Sequence, residues 1–197
     1  ESKIGHRAFY GGLTKFGLGE KTGVDLLGEL SGSLKNLERK NAQDIDFATA
    51  SFGQGVAVTP LQLINAVSAI ANRGILMRPY IREDMKSKIL KNAIRADAAH
   101  LTVDMMVSAV DKARVAAISN YSVAGKTGTA QIPDFIYGGY SDKFIHSYVG
   151  FAPAYDPKFS ILIKLDNLSG ETMAGTTVVQ AFRQMAQILL NYYNIAP

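Results

Sequence analysis

The chain has 197 residues, of which 47% are hydrophobic, so it suits one folded domain and is not a disordered chain. Its net charge of +4 comes from scattered lysines and arginines, which disfavours a nucleic-acid-binding role. It has no cysteine and its three histidines lie far apart, so we expect no disulfide, no metal site and no cofactor.

The first quarter of the chain combines helical spacing with turn-forming glycines. Apolar residues within 1–16 recur at a helical interval, which predicts a first helix. The pattern of residues 23–29 predicts a short extended segment that ends in a turn. The polar stretch 36–46 predicts a solvent-exposed connection between elements, and the glycines within 47–55 predict a tight loop.

The clearest helix start in the sequence lies at Thr59. Thr59 is the predicted N-cap, Pro60 occupies the first helical position and Gln62 the third, which together form a capping box. An apolar stripe follows, and Gly74 is placed to end the helix.

The rest of the chain predicts strands followed by a terminal helix. Residues 75–81 and 88–90 read as short strands, and residues 96–112 as a helix. Three longer strands are predicted at 122–131, 144–151 and 159–165, before a helix at 176–192. We therefore predict an α+β fold in which three antiparallel strands pack against helices that include the C-terminal one.

The most informative stretch is Lys126-Thr127-Gly128-Thr129, which follows an apolar, strand-forming run. Side chains on a strand repeat every two residues, so Thr127 and Thr129 share a face and can both donate to one carboxylate. Gly128 lets a ligand's backbone approach closely. Lys126 supplies the opposite charge, although the pleat places it on the other face, so its long side chain has to bend round.

Two other patterns are interpreted as structural. A second Lys-Thr-Gly, Lys21-Thr22-Gly23, lies among glycines with no apolar strand before it, so we interpret it as a chance match. His146 and Ser147 are neighbours on a predicted strand and point to opposite faces. We therefore interpret His146 as a hydrogen-bonded or exposed strand histidine and not as half of a Ser/His catalytic pair.

The loop 131–142, beside the proposed site, contains Tyr137 and Tyr140. These tyrosines either line a substrate groove or belong to an exposed turn with two glycines, and the sequence leaves both interpretations open.

The uninterrupted Ala-Gly-Lys-Thr-Gly-Thr-Ala-Gln of residues 124–131 resembles the third motif of class B penicillin-binding proteins. Three further stretches resemble the same family: Phe-Gly-Leu-Gly and Thr-Gly-Val-Asp-Leu within 16–29, Thr-Pro-Leu-Gln-Leu from Thr59, and Val-Gly-Phe-Ala-Pro from Val149. The resemblance covers nearly all of residues 1–197. The sequences Phe-Gly-Gln-Gly, at 52–55, and Thr-Pro-Leu-Gln-Leu, at 59–63, favour the division-specific type over the elongation type.

The resemblance implies the penicillin-binding/serine β-lactamase-like fold and a peptidoglycan D,D-transpeptidase. Such an enzyme crosslinks stem peptides by serine acyl transfer at D-Ala-D-Ala and is acylated by β-lactam antibiotics, which imitate the donor. It implies catalytic roles for Lys126, through its positive potential, and for Thr129, whose backbone N–H is one of two oxyanion donors. It implies that Lys126, Thr127, Gly128 and Thr129 bind the substrate.

Two motifs of this family are missing from the sequence. No serine has lysine three residues later, and none has asparagine two residues later. We therefore expect residues 1–197 to be the C-terminal portion of the domain, inactive alone, with the nucleophile in an upstream half. The resemblance also implies an N-terminal anchor at the extracytoplasmic face of the bacterial inner membrane, with a membrane glycosyltransferase and division or elongation proteins as partners.

Three other functions remain open at this stage. A serine β-lactamase or D,D-carboxypeptidase shares Lys-Thr-Gly, but residues 16–29 and 53–63 match class B proteins better. A β-lactam sensor acylates without turnover. A non-enzymatic interaction module would lack the serine and lysine motifs even at full length.

Overall fold

The computed structural model describes residues 3–170 and 173–196, and the chain divides into two units, residues 1–99 and 100–197. Helices come first and an antiparallel sheet with its covering helix comes last, which is the α+β arrangement predicted from the sequence. Within the described residues, no helix has the length and apolar character needed to cross a bilayer.

The first unit consists of helices and a small two-stranded sheet. Its elements are α1 (His6–Lys15), α2 (Lys35–Glu38), α3 (Asp44–Ser51), α4 (Pro60–Ala71), β1 (Ile75–Met77) and β2 (Ile89–Asn92). The two strands pair antiparallel. Leu37, Phe47 and Ala50 form a buried cluster on which Phe9 and Leu13 pack, so α1, α2 and α3 share one small core.

The predicted start of α4 is confirmed. Thr59 Oγ1 accepts a hydrogen bond from the Gln62 N–H at 3.1 Å, and Gln62 Oε1 accepts one from the Thr59 N–H at 2.9 Å. The same Gln62 side chain donates to the carbonyls of Glu20 and Ser31, each at 2.6 Å. One buried side chain therefore caps the helix and holds two preceding loops.

The predictions for residues 36–55 are partly wrong. Much of this stretch is helical, because all of α3 and all but the first residue of α2 lie in it. A capping box between Gln43 and Asp46 begins α3, and burial of Phe47 stabilises it. The tight turn after it is confirmed, since Gly53 and Gly55 have positive φ angles of 91° and 72°.

The second unit is built around one antiparallel sheet. Its elements are α5 (Ala96–Ala113, which begins at the end of the first unit), β3 (Ala124–Pro133), β4 (Tyr140–Ala152), β5 (Phe159–Leu168), a 3-10 turn (Ala174–Thr176) and α6 (Val178–Tyr192). The strand order is β3-β4-β5, so among the described residues β3 pairs on one side only. The three predicted strands, their antiparallel pairing and the terminal helix are confirmed.

The helix α6 covers one face of this sheet. Phe182, Ala186 and Leu190 are fully buried in a cluster that includes Tyr148 and Ile161 of the strands. The rings of Tyr148 and Phe182 are 4.5 Å apart. Burying an aromatic or leucine side chain stabilises a fold by about 1.5–3 kcal/mol, so this contact fixes α6 against the sheet.

Candidate active site

The four predicted site residues lie consecutively on β3, at the edge of the sheet. Across the sheet, Thr127 is paired with Tyr148, Gly128 with Ser147 and Thr129 with His146. Directly opposed residues project to the same face of a sheet. Thr127 and Thr129 therefore project to the face that Tyr148 shares with α6.

The Lys126 side chain bends round as its predicted role requires. Its Nζ donates to the Thr127 carbonyl at 2.9 Å and lies 3.4 Å from Thr127 Oγ1, although the pleat sends the two side chains to opposite faces. Lys126 is exposed, and no carboxylate of the described residues forms an ion pair with it. Its charge is therefore available to an anionic ligand.

The backbone of β3 presents its free hydrogen-bonding groups at this edge. In an antiparallel pair, the N–H and C=O of one residue point the same way, and the direction alternates along the strand. The Ala124 carbonyl faces β4, because a Cβ on Gly150 would lie 2.6 Å from it. The groups of Thr127 and Thr129 consequently face away from β4, which agrees with the Lys126 bond to the Thr127 carbonyl.

The two threonine hydroxyls have different surroundings. Thr127 Oγ1 lies beside the Lys126 ammonium, whereas Thr129 Oγ1 accepts a hydrogen bond of 3.2 Å from the Ala174 N–H. A hydroxyl that accepts an N–H still has its own proton to donate. Both hydroxyls can therefore donate to one carboxylate at the edge of β3.

At two glycines of β3, a Cβ would come into close contact with neighbouring side chains. A Cβ on Gly128 would lie 2.6 Å from Ser147 Oγ, and a Cβ on Gly125 would collide with the phenol of Tyr148. Burial raises the pKa of that phenol, so Tyr148 is neutral. The close packing of β3 on β4 thus adds a structural reason for glycine at 128 to the predicted approach of a ligand.

The interpretation of His146 holds in part. It does not pair with Ser147, as the alternation of strand side chains predicts, but it is completely buried. Its Nδ1 lies 2.9 Å from Thr177 Oγ1, and its Nε2 has no partner among the described residues. The contacts of Ala174 and Thr177 were not predicted, because they join residues that are distant in sequence and follow no periodic pattern.

The second Lys-Thr-Gly, residues 21–23, binds the carboxylate of Glu29. The N–H and hydroxyl of Thr22 donate to Glu29 Oε1 at 2.6 and 2.5 Å, and the Gly23 N–H donates to Glu29 Oε2 at 3.1 Å. Burial by itself raises the pKa of the Glu29 carboxyl, but these hydrogen bonds and the nearby Lys21 charge outweigh it, so the pKa is lowered. This triplet holds a carboxylate of its own chain.

The loop between β3 and β4 is exposed at its tip. Asp134 accepts hydrogen bonds from the N–H groups of Tyr137 and Ile136 at 3.0 and 2.9 Å, which lower the pKa of its carboxyl. Phe135, Ile136 and Tyr137 are each more than four-fifths exposed, and Tyr140 is 45% exposed. The exposed-turn interpretation fits this geometry, and a substrate groove at the tyrosines stays a prediction.

No group of three or more potential metal ligands occurs in the described part of the chain. The ammonium of Lys126 and the hydroxyls of Thr127 and Thr129 make this edge of β3 a candidate site for an anionic, carboxylate-bearing ligand.

A Lys-Thr-Gly strand at the open edge of an antiparallel sheet, covered by a terminal helix, narrows the choice of family. The sequence matches the family model of the penicillin-binding protein transpeptidase domain over residues 1–187. The chain belongs to this family. The stretches that resemble class B penicillin-binding proteins thus lie within a transpeptidase domain.

Known relatives of this transpeptidase chain carry sporulation and division names. It is 35% identical to stage V sporulation protein D of Bacillus subtilis, over 89% of this chain and 29% of the relative. It is 36% identical to the peptidoglycan D,D-transpeptidase FtsI of Buchnera aphidicola, over 93% of this chain and 32% of the relative. The name FtsI recurs for a relative in Escherichia coli that is 34% identical, in agreement with the predicted division type.

Solved structures of penicillin-binding proteins share the fold. Penicillin-binding protein 3 of Mycobacterium tuberculosis, in complex with ampicillin, superposes with a TM-score of 0.83 at 28% identity, over 98% of this chain and 47% of that one. The transpeptidase domain of penicillin-binding protein 3 from Burkholderia pseudomallei gives a TM-score of 0.85 at 26% identity, over 100% of this chain and 60% of that one. The chain spans about a third of the length of the curated relatives that it matches.

Proposed function

We propose that this chain supplies the Lys-Thr-Gly strand of a peptidoglycan D,D-transpeptidase, which crosslinks stem peptides by serine acyl transfer at D-Ala-D-Ala. The observation that carries the proposal is the edge of β3. There, among the described residues, an ammonium without a carboxylate partner and two hydroxyls lie beside backbone groups that no neighbouring strand pairs. A carboxylate-terminated, extended peptide fits that set of donors, and so does a β-lactam.

Each site residue has a defined role in the proposed reaction. Lys126 provides positive potential and bonds towards the second-motif serine of the upstream half. Thr127 and Thr129 donate their hydroxyl protons to the terminal carboxylate. Gly128 keeps the strand free of a side chain where the peptide approaches. The outward N–H of Thr129 is one of two oxyanion donors, and removing one such donor typically costs about 3–4 kcal/mol of transition-state stabilisation.

The nucleophilic serine belongs, in this proposal, to an upstream half of the same domain. Two facts support it: no Ser-x-x-Lys and no Ser-x-Asn occurs in the sequence, and the curated relatives are about three times as long as the part that matches. The proposal extends to a location at the extracytoplasmic face of the bacterial inner membrane. It also includes a membrane glycosyltransferase and division proteins as partners.

The direct test uses the full-length protein and a synthetic stem pentapeptide that ends in D-Ala-D-Ala, together with an amine acceptor. We expect release of D-Ala and formation of the crosslinked product, measured by mass spectrometry, and inhibition of both by benzylpenicillin. Hydrolysis of the donor without transfer would indicate a carboxypeptidase instead. Rapid turnover of benzylpenicillin would indicate a β-lactamase, and stable acylation without activity on the peptide a sensor.

The assignment of the nucleophile has its own test. Purified residues 1–197 and the full-length protein are incubated with a fluorescent penicillin and resolved on a denaturing gel. We expect covalent, saturable label on the full-length protein only. Saturable label on the 197-residue chain would show that the serine lies within it.

A further inference from the structure

A buried histidine lies directly across the sheet from Thr129. His146 is 0% exposed, and its side chain projects to the same face as that of Thr129. Its Nδ1 is 2.9 Å from Thr177 Oγ1, while its Nε2 is buried with no partner among the described residues. A buried nitrogen without a hydrogen bond is unfavourable, and an aliphatic side chain would avoid that cost. The Nδ1 bond to Thr177 is thus the contact that accounts for histidine at this position.

Thr177 uses its hydroxyl in an unusual way for its position. It is the residue before α6, where a threonine side chain ordinarily accepts an N–H from the first helical turn. Here no such side-chain cap is formed, and the hydroxyl lies between His146 Nδ1 and the Ala174 carbonyl, at 2.9 and 3.4 Å. The hydroxyl therefore ties the 3-10 turn to β4 and leaves the helix start without its usual cap.

The same turn reaches the site. The Ala174 N–H donates to Thr129 Oγ1 at 3.2 Å, and Ala174 itself is 1% exposed. Contacts thus run from His146 to Thr177, from Thr177 to Ala174 and from Ala174 to Thr129. A hydroxyl has one proton, so an N–H that occupies one of its lone pairs leaves the proton to point elsewhere. Thr129 is exposed on the edge strand β3, so its proton can be donated to a ligand there.

We propose that His146 and Thr177 are positioning residues: they hold the Ala174 N–H against Thr129 Oγ1 and thereby direct the Thr129 hydroxyl proton towards the substrate carboxylate. The inference rests on the proposed function, because it concerns the orientation of a donor in that site. Neither residue touches the substrate, and both act through Ala174. Without them, the Thr129 hydroxyl is free to rotate and donates to the carboxylate for only part of the time.

The test measures the second-order acylation rate of the full-length protein with a chromogenic β-lactam. We expect Thr177→Val and His146→Leu each to slow acylation by about 2- to 13-fold, the range for losing one neutral hydrogen bond. Thr177→Ser keeps the hydroxyl, and His146→Asn keeps a polar atom near the place of Nδ1, so both should react at close to the parent rate. Thr14→Val is the matched control, since the hydroxyl that it removes bonds only locally, to the Gly11 carbonyl of α1.

A double-mutant cycle separates positioning from general damage. In a Thr129→Val background there is no hydroxyl to orient, so adding Thr177→Val should change the acylation rate by less than about twofold. Equal slowing in both backgrounds would overturn the inference, as would a parent rate in the Thr177→Val single variant. If instead the parent protein is not acylated at all, the proposed function fails, which is a different outcome. Melting temperatures of all variants verify that each one is folded.

Discussion

The two Lys-Thr-Gly triplets provide an internal comparison for the site assignment. Each contains a lysine that can be replaced by alanine, and the two lysines differ in what surrounds them. Lys126 lies on the edge strand with its ammonium beside Thr127, whereas Lys21 lies in a triplet whose threonine and glycine already hold Glu29. We expect Lys126→Ala to slow acylation by β-lactams and Lys21→Ala to leave it unchanged.

The magnitude follows from the contact that is lost. Lys126 has no carboxylate partner among the described residues, so alanine there removes a charge that is available to an anionic ligand. A hydrogen bond to a charged group contributes about 1.5–3 kcal/mol, and each ~1.36 kcal/mol is a factor of ten in rate. Acylation should therefore slow by about 10- to 100-fold or slightly more. Lys21→Ala keeps the Thr22 and Gly23 bonds to Glu29, and the acylation site loses nothing.

The assay is the second-order acylation rate constant of the full-length protein with a chromogenic β-lactam, at one pH and one salt concentration. Both variants should melt within a few degrees of the parent, since both lysines are exposed. Equal slowing by the two substitutions would refute the assignment of Lys126, Thr127, Gly128 and Thr129 as the site. A parent-like rate for Lys126→Ala would refute the role of its charge.

Three further predictions concern single contacts in the full-length protein. Thr129→Val should slow acylation about tenfold. It should also lower the melting temperature, measured by calorimetry, because the Ala174 N–H loses its acceptor. Glu29 has a lowered pKa in the folded state, so its contribution to stability is complete above the unfolded-state value and lost as the pH falls through the folded one. Glu29→Gln should therefore make the free energy of unfolding less dependent on pH below about 5. The free energy is measured by urea titration at several pH values, and a pH dependence equal to that of the parent would contradict the prediction. Gly128→Ala should destabilise the protein through contact with Ser147 Oγ, and Ser147→Ala should restore the melting temperature. If the double variant regains the melting temperature but is acylated more slowly than the parent, the methyl group at 128 hinders the approach of the ligand.

The sequence predicted the second unit better than the first. The three strands and α6 have strong periodic patterns, and apolar alternation specifies a strand whose one face is buried. The helix α3 was missed because its sequence has little apolar periodicity. It is specified by a capping box at Gln43 and Asp46 and by burial of Phe47, and the latter depends on α1 and α2.

The site was predictable where it is local and not where it depends on distant contacts. Lys126 to Thr129 are consecutive, so their arrangement follows from strand geometry alone. The Ala174 and Thr177 contacts join residues 45 and 31 positions apart in the sequence, and no spacing rule indicates them. Glu29 was not identified as the partner of Thr22 for a different reason. Only seven residues separate them, but the carboxylate reaches the triplet through a turn without regular structure, to which no periodic spacing applies.

The carboxylate of Glu29 has a consequence for how selectively the protein recognises its ligands. Glu29 is tethered to Thr22 by a short loop, and a flexible tether of that kind gives an effective concentration on the order of millimolar. A free peptide carboxylate must exceed that concentration, or bind more tightly than Glu29 does, to enter the Lys21-Thr22-Gly23 triplet. The sequence Lys-Thr-Gly thus occurs twice in this protein, and Glu29 of the same chain occupies the first copy. In the proposed function, the copy on β3 is the one that binds ligands from solution.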